Sequence, residues 1–433
     1  MANFVGTTGN DTLTGSIGDD RIEGLAGNDS LLGAEGNGTL LGGSGNDTLR
    51  GGAGNDSLFG DAGADHINYT DGNTLNFSEA LGSVNLNLLG ITGDGSSGQG
   101  TASDGFGGTD VLRNVNSFVG SDFSDTFLGN SALVFEQFEG GLGDDTIDGG
   151  AITDFIFTRD GNRAYTNATS AVSADLRSGL SSGGAGVDTL RNINQLRGSI
   201  YNDTLLGSDA TAYTEQFEGR AGNDTIDGRG GPDKARYDNA PSGVVANLVT
   251  GTASDGYGGT DTLIGLEGLR GSDFADRLTG GLTANGTTAI GDEVSDGLER
   301  FNGQGGNDTL DGGQGYDRAE YTTATGPINV TLGGSGNGTA QDGLGGTDTL
   351  ISIEGIRAGE FADVLTGSDS ASFESFEGRE GNDTIDGRGG IDRADYYFDE
   401  LQGAVVNLAT GVATDGRGGC LEPHCVHHQE VLP

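Results

Sequence analysis

The sequence predicts an all-β solenoid with little or no helix, and three observations predict it. Glycine supplies 86 of the 433 residues. From Gly6 to Asn68 the chain divides without insertion into seven nine-residue units, each with glycine first and fourth and an aliphatic residue eighth. Beyond Tyr69 a longer unit of roughly 75 to 85 residues recurs with its parts in fixed order. A period of nine with one apolar position fits neither a 3.6-residue helical stripe nor the alternation of an ordinary strand, so it points to stacked short units.

The seven units read GTTGNDTLT, GSIGDDRIE, GLAGNDSLL, GAEGNGTLL, GGSGNDTLR, GGAGNDSLF and GDAGADHIN. Their glycines mark turns, where the chain bends through positive φ or lets backbones approach. A triplet such as Thr12-Leu13-Thr14 is then a very short strand with one inward side chain, and two units make one coil of eighteen residues. Six units place aspartate sixth, at Asp11, Asp20, Asp29, Asp47, Asp56 and Asp65, with Gly38 the exception. In eighteen-residue coils Asp11, Asp29, Asp47 and Asp65 stack in one column and Asp20, Gly38 and Asp56 in another, at an inter-strand spacing of about 4.8 Å.

Two carboxylates about 5 Å apart repel by roughly 3 kcal/mol at an effective dielectric near 20. Burying one Leu or Ile returns only about 1.5 to 3 kcal/mol, and ordering the backbone costs about 1 kcal/mol or more per residue. The solenoid therefore needs a counter-ion. A hard divalent cation that accepts six to eight oxygens in flexible geometry is calcium; magnesium demands a stricter octahedron and keeps its waters.

On these units the chain resembles the RTX (repeats-in-toxin), or hemolysin-type, calcium-binding repeats, whose consensus is G-G-x-G-x-D-x-U-x. The resemblance implies a right-handed parallel β-roll or β-helix stabilised by several Ca2+ ions between successive turns. It implies that the sixth-position aspartates are side-chain ligands and that glycines such as Gly42, Gly45, Gly51 and Gly54 shape a carbonyl cradle. Gly38 departs from the pattern and should weaken both sites of its own column. Bacterial secretion through a type I apparatus is implied as well, with an uncleaved signal at the C-terminus.

The longer unit begins with an apolar strand, as in Val84-Asn85-Leu86-Asn87-Leu88, Val244 to Leu248, Ile328 to Leu332 and Val405 to Leu408. A glycine-rich turn follows, ending at Asp110, Asp261 and Asp348, and a second turn aspartate appears at Asp125, Asp203, Asp276 and Asp363. Two nonapeptides close each unit, placing Asp145 with Asp154, Asp224 with Asp233, Asp308 with Asp317 and Asp383 with Asp392, further expected metal ligands. Phe138, Phe217, Phe301 and Phe376 precede these pairs, and Tyr237, Tyr321 and Tyr396 follow the last three; all read as core fillers. The expected organisation is 1–68 tandem nonapeptides, 69–157, 158–236, 237–320 and 321–395 large repeats, 396–419 a truncated repeat and 420–433 an atypical, disordered tail. Residues Gly93 to Gly100 read as linker.

The net charge of −44 disfavours nucleic acid and anionic membranes as partners. No stretch has the apolar length of a membrane span. The chain enters its first repeat from MANFVGTTGNDTL with no basic or hydrophobic leader, as the resemblance implies for a C-terminally signalled export substrate. Metal-binding free energy would then become folding free energy in calcium outside the cell. After VVNLATGVATDGRGG the expected repeat gives way to CLEPHCVHHQEVLP, which reads as a truncation or frame change. Its Cys420, His424, Cys425, His427 and His428 match no structural zinc spacing.

No catalytic constellation emerges. His66 is a lone surface candidate, and Gly179-Leu180-Ser181-Ser182-Gly183 matches G-x-S-x-G without the strand-turn-helix context that motif needs. Asn223 to Gly228 imitates the start of an EF-hand loop, but its twelfth position is Lys234. The expected function is therefore an extracellular, non-catalytic calcium-binding repeat protein, folding on Ca2+ and structural or adhesive at the cell surface or in the matrix, with the surface partner unspecified. The alternative is the repeat portion of a secreted protease, lipase or alginate epimerase whose catalytic domain lies elsewhere.

Overall fold

The computed structural model describes residues 2–51, 56–62, 66–68, 74–78, 80–89, 91–92, 97–98, 100–103, 105–113, 117–130, 135–150, 159–166, 168–281, 298–396, 405–407 and 412–414. Among them every regular element is a β-strand. In the nonapeptide array the strands Ala2–Val5, Asp20–Ala26, Thr39–Ser44 and Ser57–Ala62 pair in parallel, with Ala2 opposite Asp20, Arg21 opposite Thr39 and Thr39 opposite Ser57. A second parallel ladder joins Thr12–Thr14, Ser30–Leu32, Thr48–Arg50 and His66–Asn68. Each register step is eighteen residues, so two nonapeptides make one coil.

The core follows from that register. Leu13, Leu31, Leu49 and Ile67 stand opposite one another along the second ladder. Ile22, Leu40 and Leu58 do the same along the first, and all three are buried, as are Leu31 and Leu49. One inward side chain per three-residue strand fills the narrow space between two sheets, and the residues flanking it point outward.

The chain divides into two compact units, one of residues 1–209 with Tyr213–Phe217, the other of Ala210–Ala212 with residues 218–433. In the first unit, Thr109–Arg113 runs parallel to His66–Asn68, antiparallel to Gly100–Ser103, which is antiparallel to Asn85–Asn87, which is again parallel to Thr126–Leu128. Val172–Asp175, Leu180–Gly183 and Thr189–Arg191 repeat this hairpin excursion. In the second unit Val245–Asn247, Thr252–Ser254 and Thr260–Ile264 form one, and Asn329–Thr331, Asn337–Gln341 and Thr347–Ile351 another.

The parallel solenoid expected from the sequence is thus interrupted once per large repeat by one antiparallel strand. The reason is local: a tight glycine turn such as Gly256–Gly259 reverses the chain, which only an antiparallel pair can use. Part of the expected linker is also strand, because Ile91–Thr92 pairs with Ser97–Gly98; residues 93–96 and 99 lie outside the described residues, as does most of the tail region from 397 onward.

The phenylalanines are core, as their position implied. Phe138, Phe217, Phe301 and Phe376 are fully buried, and Phe138 stacks on Phe118 at 5.6 Å and leans on Phe127 at 5.9 Å between ring centroids. Replacing Phe138 by alanine should cost about 3 to 5 kcal/mol of stability in calcium. Replacing Phe123, which is 45% exposed, should change it by less than about 0.5 kcal/mol; denaturant titration of the two variants checks the contrast.

Candidate metal centre

The nonapeptide turn is built on two left-handed residues. Position two is held at positive φ, as at Leu25 (78°), Ala34 (76°) and Gly43 (99°), and position four likewise at Gly27 (119°), Gly36 (102°) and Gly45 (136°). Where a preceding coil lies against it, position four has no room for a side chain: a β-carbon at Gly45 would lie 1.8 Å from the Gly27 carbonyl oxygen. At position one the missing β-carbon leaves a cradle. One at Gly24 would fall 2.3 Å from Asp29 Oδ2 and 2.5 Å from the Gly42 oxygen, and one at Gly42 would fall 2.5 Å from Asp47 Oδ2 and 2.8 Å from the Gly60 oxygen. The Gly51 oxygen stands 2.2 Å from the same point at Gly33. The turns at Gly24 and Gly42 therefore bring their own carboxylate oxygen and a carbonyl of the next coil to one concavity, whereas the Gly33 turn, with Gly38 in the sixth position, brings the carbonyl alone.

The other carboxylate oxygen fixes the stacking. Asp29 Oδ1 accepts the Asp11 N–H at 2.7 Å, Asp47 Oδ1 the Asp29 N–H at 2.7 Å, and Asp56 Oδ1 the Gly38 N–H at 2.6 Å. Asp20 Oδ1 accepts the Ala2 N–H at 2.8 Å. A second ladder runs beside it from position five, where Asn10 Oδ1 accepts the Asn28 N–H and Asn28 Oδ1 the Asn46 N–H. That explains the recurrent asparagine before the aspartate.

Within each unit the large repeats build ladders of the same kind, and these include aspartates that were not among the expected ligands. Asp125 donates its N–H to Asp145 Oδ1 at 2.9 Å and Asp145 to Asp188 Oδ1 at 3.0 Å. In the second unit Asp224 donates to Asp261, Asp276 to Asp308, Asp308 to Asp348 and Asp363 to Asp383. Asp110 and Asp203 occupy equivalent buried turn positions. The signal was present in the sequence: Gly183 to Arg191 and Gly256 to Ile264 are full nonapeptides, and Gly120 to Leu128 departs by Phe123 in place of the fourth glycine and Phe127 in place of the eighth-position aliphatic.

The opposite edge of the second unit mixes residue types. Asp233 donates its N–H to Glu267 Oε2 at 2.9 Å and Asp317 donates to Glu354 Oε2 at 3.1 Å. Glu299 stands opposite Asp317, and Glu374 opposite Asp392. Glutamate thus takes the place of the consensus aspartate in alternate coils. Asp65, Gly54 and Asp154 lie outside the described residues, as do the His66 side chain and the cysteine-histidine tail.

These carboxylates are buried together, with a predictable electrostatic result. Burial, then the neighbouring charges of Asp29 and Asp61, pushes Asp47 up to about 6. Burial with Asp348, Asp276 and Asp342 nearby raises Asp308 to about 8, and burial with Glu299 and Glu354 raises Asp317 to about 9. Asp20 goes the other way, lowered by the hydroxyl and N–H of Ser16. Asp29 Oδ2, Asp308 Oδ2 and both Asp317 oxygens are buried and accept no hydrogen bond.

Orphaned carboxylate oxygens beside converging carbonyls suit an oxygen-loving divalent cation. No three His, Cys, Asp or Glu side chains among the described residues gather closely enough to hold a metal by themselves. Main-chain carbonyls such as those of Gly42 and Gly60 would supply the rest of a calcium shell. The G-x-S-x-G string is no nucleophile elbow: Leu180–Gly183 is a hairpin strand, and Ser181 Oγ donates to Asp188 Oδ2 at 2.8 Å. Lys234, at the end of the EF-hand-like string, pairs with Glu320 at 3.1 Å.

A family model of the RTX calcium-binding nonapeptide repeat, in four-copy form, matches residues 5–40, 41–75, 136–163, 209–234, 296–319 and 374–394. Among solved structures the chain is similar to the extracellular lipase LipA from Serratia marcescens, at 14% identity and a TM-score of 0.14, over 81% of this chain and 38% of the lipase chain. The chain spans well under half of that lipase, and a likeness of this size carries no argument about fold or activity. No curated protein matches the chain.

Two outcomes follow from the geometry. Gly38→Asp should restore the broken column, because a β-carbon there has ordinary φ, with Asp56 Oδ1 at 3.0 Å its tightest contact and Asp20 O and Leu40 Cδ1 at 3.5 Å; calorimetry should show tighter or additional calcium binding. The second outcome concerns pH. Asp47, Asp308 and Asp317 carry folded values of about 6, 8 and 9 against an ordinary 3.8. Between those limits the folded chain holds more protons than the unfolded one, so metal-free stability falls as pH rises. In chelator, circular dichroism should show more β-structure near pH 4.5 than near pH 8, and calcium should erase the difference.

Proposed function

We propose, from the premise that RTX calcium-binding repeats recur along this chain, that it is a secreted, extracellular protein that folds on calcium binding and has no catalytic activity of its own. Its use is structural or adhesive, at the cell surface or in the surrounding matrix. The observation that carries this reading is the repeated cradle of a buried aspartate oxygen and a next-coil carbonyl at the first-position glycines. A cation there removes the repulsion between stacked carboxylates and links consecutive coils, so binding and folding become one event.

A chain carrying −44 stays expanded while its carboxylates are unneutralised. Inside a cell, where free calcium is low, that favours an export-competent chain; outside, calcium neutralises the turns and the solenoid closes. Among the described residues no helix is long and apolar enough to cross a membrane. Export through a type I apparatus fits this cycle, and adhesion fits a rigid, many-coiled surface.

The test is a calcium titration of the purified chain by far-ultraviolet circular dichroism, with magnesium as control. A cooperative gain of β-structure between micromolar and millimolar calcium, absent with magnesium, is the expected result. Asp29→Ala and Asp47→Ala should each move the midpoint to higher calcium, because each residue belongs to two stacked pairs. A chain fully folded in chelator at neutral pH overturns the reading.

A further inference from the structure

The hairpin excursions of the second unit carry an aspartate outside the nonapeptide register. Asp342 is 1% exposed and Asp255 is fully buried. Asp342 Oδ1 accepts three consecutive N–H groups, from Leu344 at 2.8 Å, Gly345 at 2.9 Å and Gly346 at 2.8 Å. Asp255 Oδ1 does the same with Tyr257, Gly258 and Gly259. In both, Oδ2 is buried and accepts no hydrogen bond.

Those free oxygens point at a coil interface. A β-carbon at Gly346 would lie 1.5 Å from the Gly306 carbonyl oxygen and 2.6 Å from Asp342 Oδ2. At Gly259 the corresponding distances are 1.7 Å to the Gly222 oxygen and 2.7 Å to Asp255 Oδ2. Gly306 and Gly346 are the fourth-position glycines of the coils that carry Asp308 and Asp348. In the nonapeptide array the atoms nearest the equivalent point at Gly45 are the Gly27 carbonyl and, at 3.2 Å, the neutral amide oxygen of Asn28. Tyr321 closes the Asp348 side, donating its hydroxyl to Asp348 Oδ2 at 3.1 Å.

We propose that Asp255 and Asp342 are calcium ligands, each presenting its free Oδ2 beside a neighbouring-coil carbonyl, that of Gly222 and that of Gly306, at the interfaces crossed by the hydrogen bonds of Asp224 to Asp261 and of Asp308 to Asp348. These two interfaces are then the tightest calcium sites of the second unit, since affinity for calcium rises with ligand charge. The charge of Asp342 raises Asp348 as well as Asp308, after burial, as proximity to both requires. The excursion of residues 172–191 provides the contrast: Ser181 Oγ engages Asp188 Oδ2 there, as Tyr321 engages Asp348 Oδ2 here, but Ser182 stands where the extra aspartate would be.

This inference rests on the calcium reading of the turns, and two variants separate it from a purely structural role. Asp342→Asn keeps an oxygen for the three N–H groups, and its amide can donate to the Gly306 carbonyl, so the turn survives while the charge is lost. Asp342→Glu keeps the charge but fits the turn less well. Calcium binding to the full chain is measured by equilibrium dialysis, with circular dichroism at saturating calcium reporting the fold.

The expected result is that Asn weakens one high-affinity site about tenfold or more while Glu retains it, and that Asp255→Asn acts likewise on a second site. If Asn binds as the parent does, or if Glu loses as much affinity as Asn, Asp342 is only a turn cap and the proposal falls. Should Asn fail to fold even in saturating calcium, the Glu variant decides on the same criterion. A parent chain that binds no calcium overturns the underlying reading instead.

Discussion

Everything in this chain depends on one constraint: the carboxylate of one turn must lie against the backbone of the turn before it. Its Oδ1 accepts an N–H eighteen residues earlier in the array, which sets the coil length. Its Oδ2 is left in a pocket that exists because position one lacks a β-carbon. The hydrogen bonds hold the coils in register; the charge they leave behind opposes stacking. Few folds tie their register and their principal instability to the same atoms.

The array was legible from its residues because nothing competes with its pattern. One aliphatic residue in nine, with glycines at two fixed places, admits a single arrangement of inward side chains, and Leu13, Leu31 and Leu49 stand where spacing puts them. The large repeats were legible only in part. Asp125, Asp261, Asp276, Asp348 and Asp363 could be seen as turn residues, yet their place in the column shows only when pairing carries them across 20 to 40 positions. Asp188 escaped because its turn, Gly183 to Val187, lacks the aspartate-glycine opening of its counterparts. The antiparallel strands were hidden for a related reason: a short alternating segment such as Thr252–Ser254 has the same composition whichever way it runs.

The second edge shows how far the consensus can drift while the geometry persists. Glu267 and Glu354 accept the N–H of Asp233 and Asp317, one methylene further out than an aspartate would reach. Asp317 sits buried among them and is pushed further up than Asp47 or Asp308, to about 9. An edge built from alternating Asp and Glu keeps a carboxylate at every coil but changes the depth at which it sits.

The hairpin excursions have a consequence for how such a chain finds its fold. A run of near-identical coils is almost translation-invariant: sliding it by eighteen residues re-forms nearly every contact and sacrifices only the coil at the end. Slipped pairings of that kind are close in energy to the correct one and become traps. An antiparallel strand flanked by turns of unequal length cannot be superimposed on a plain coil, and one stands in each of the large repeats described. They act as fixed marks along an otherwise uniform ruler, so a misaligned segment meets a mismatch within one large repeat instead of propagating along the chain.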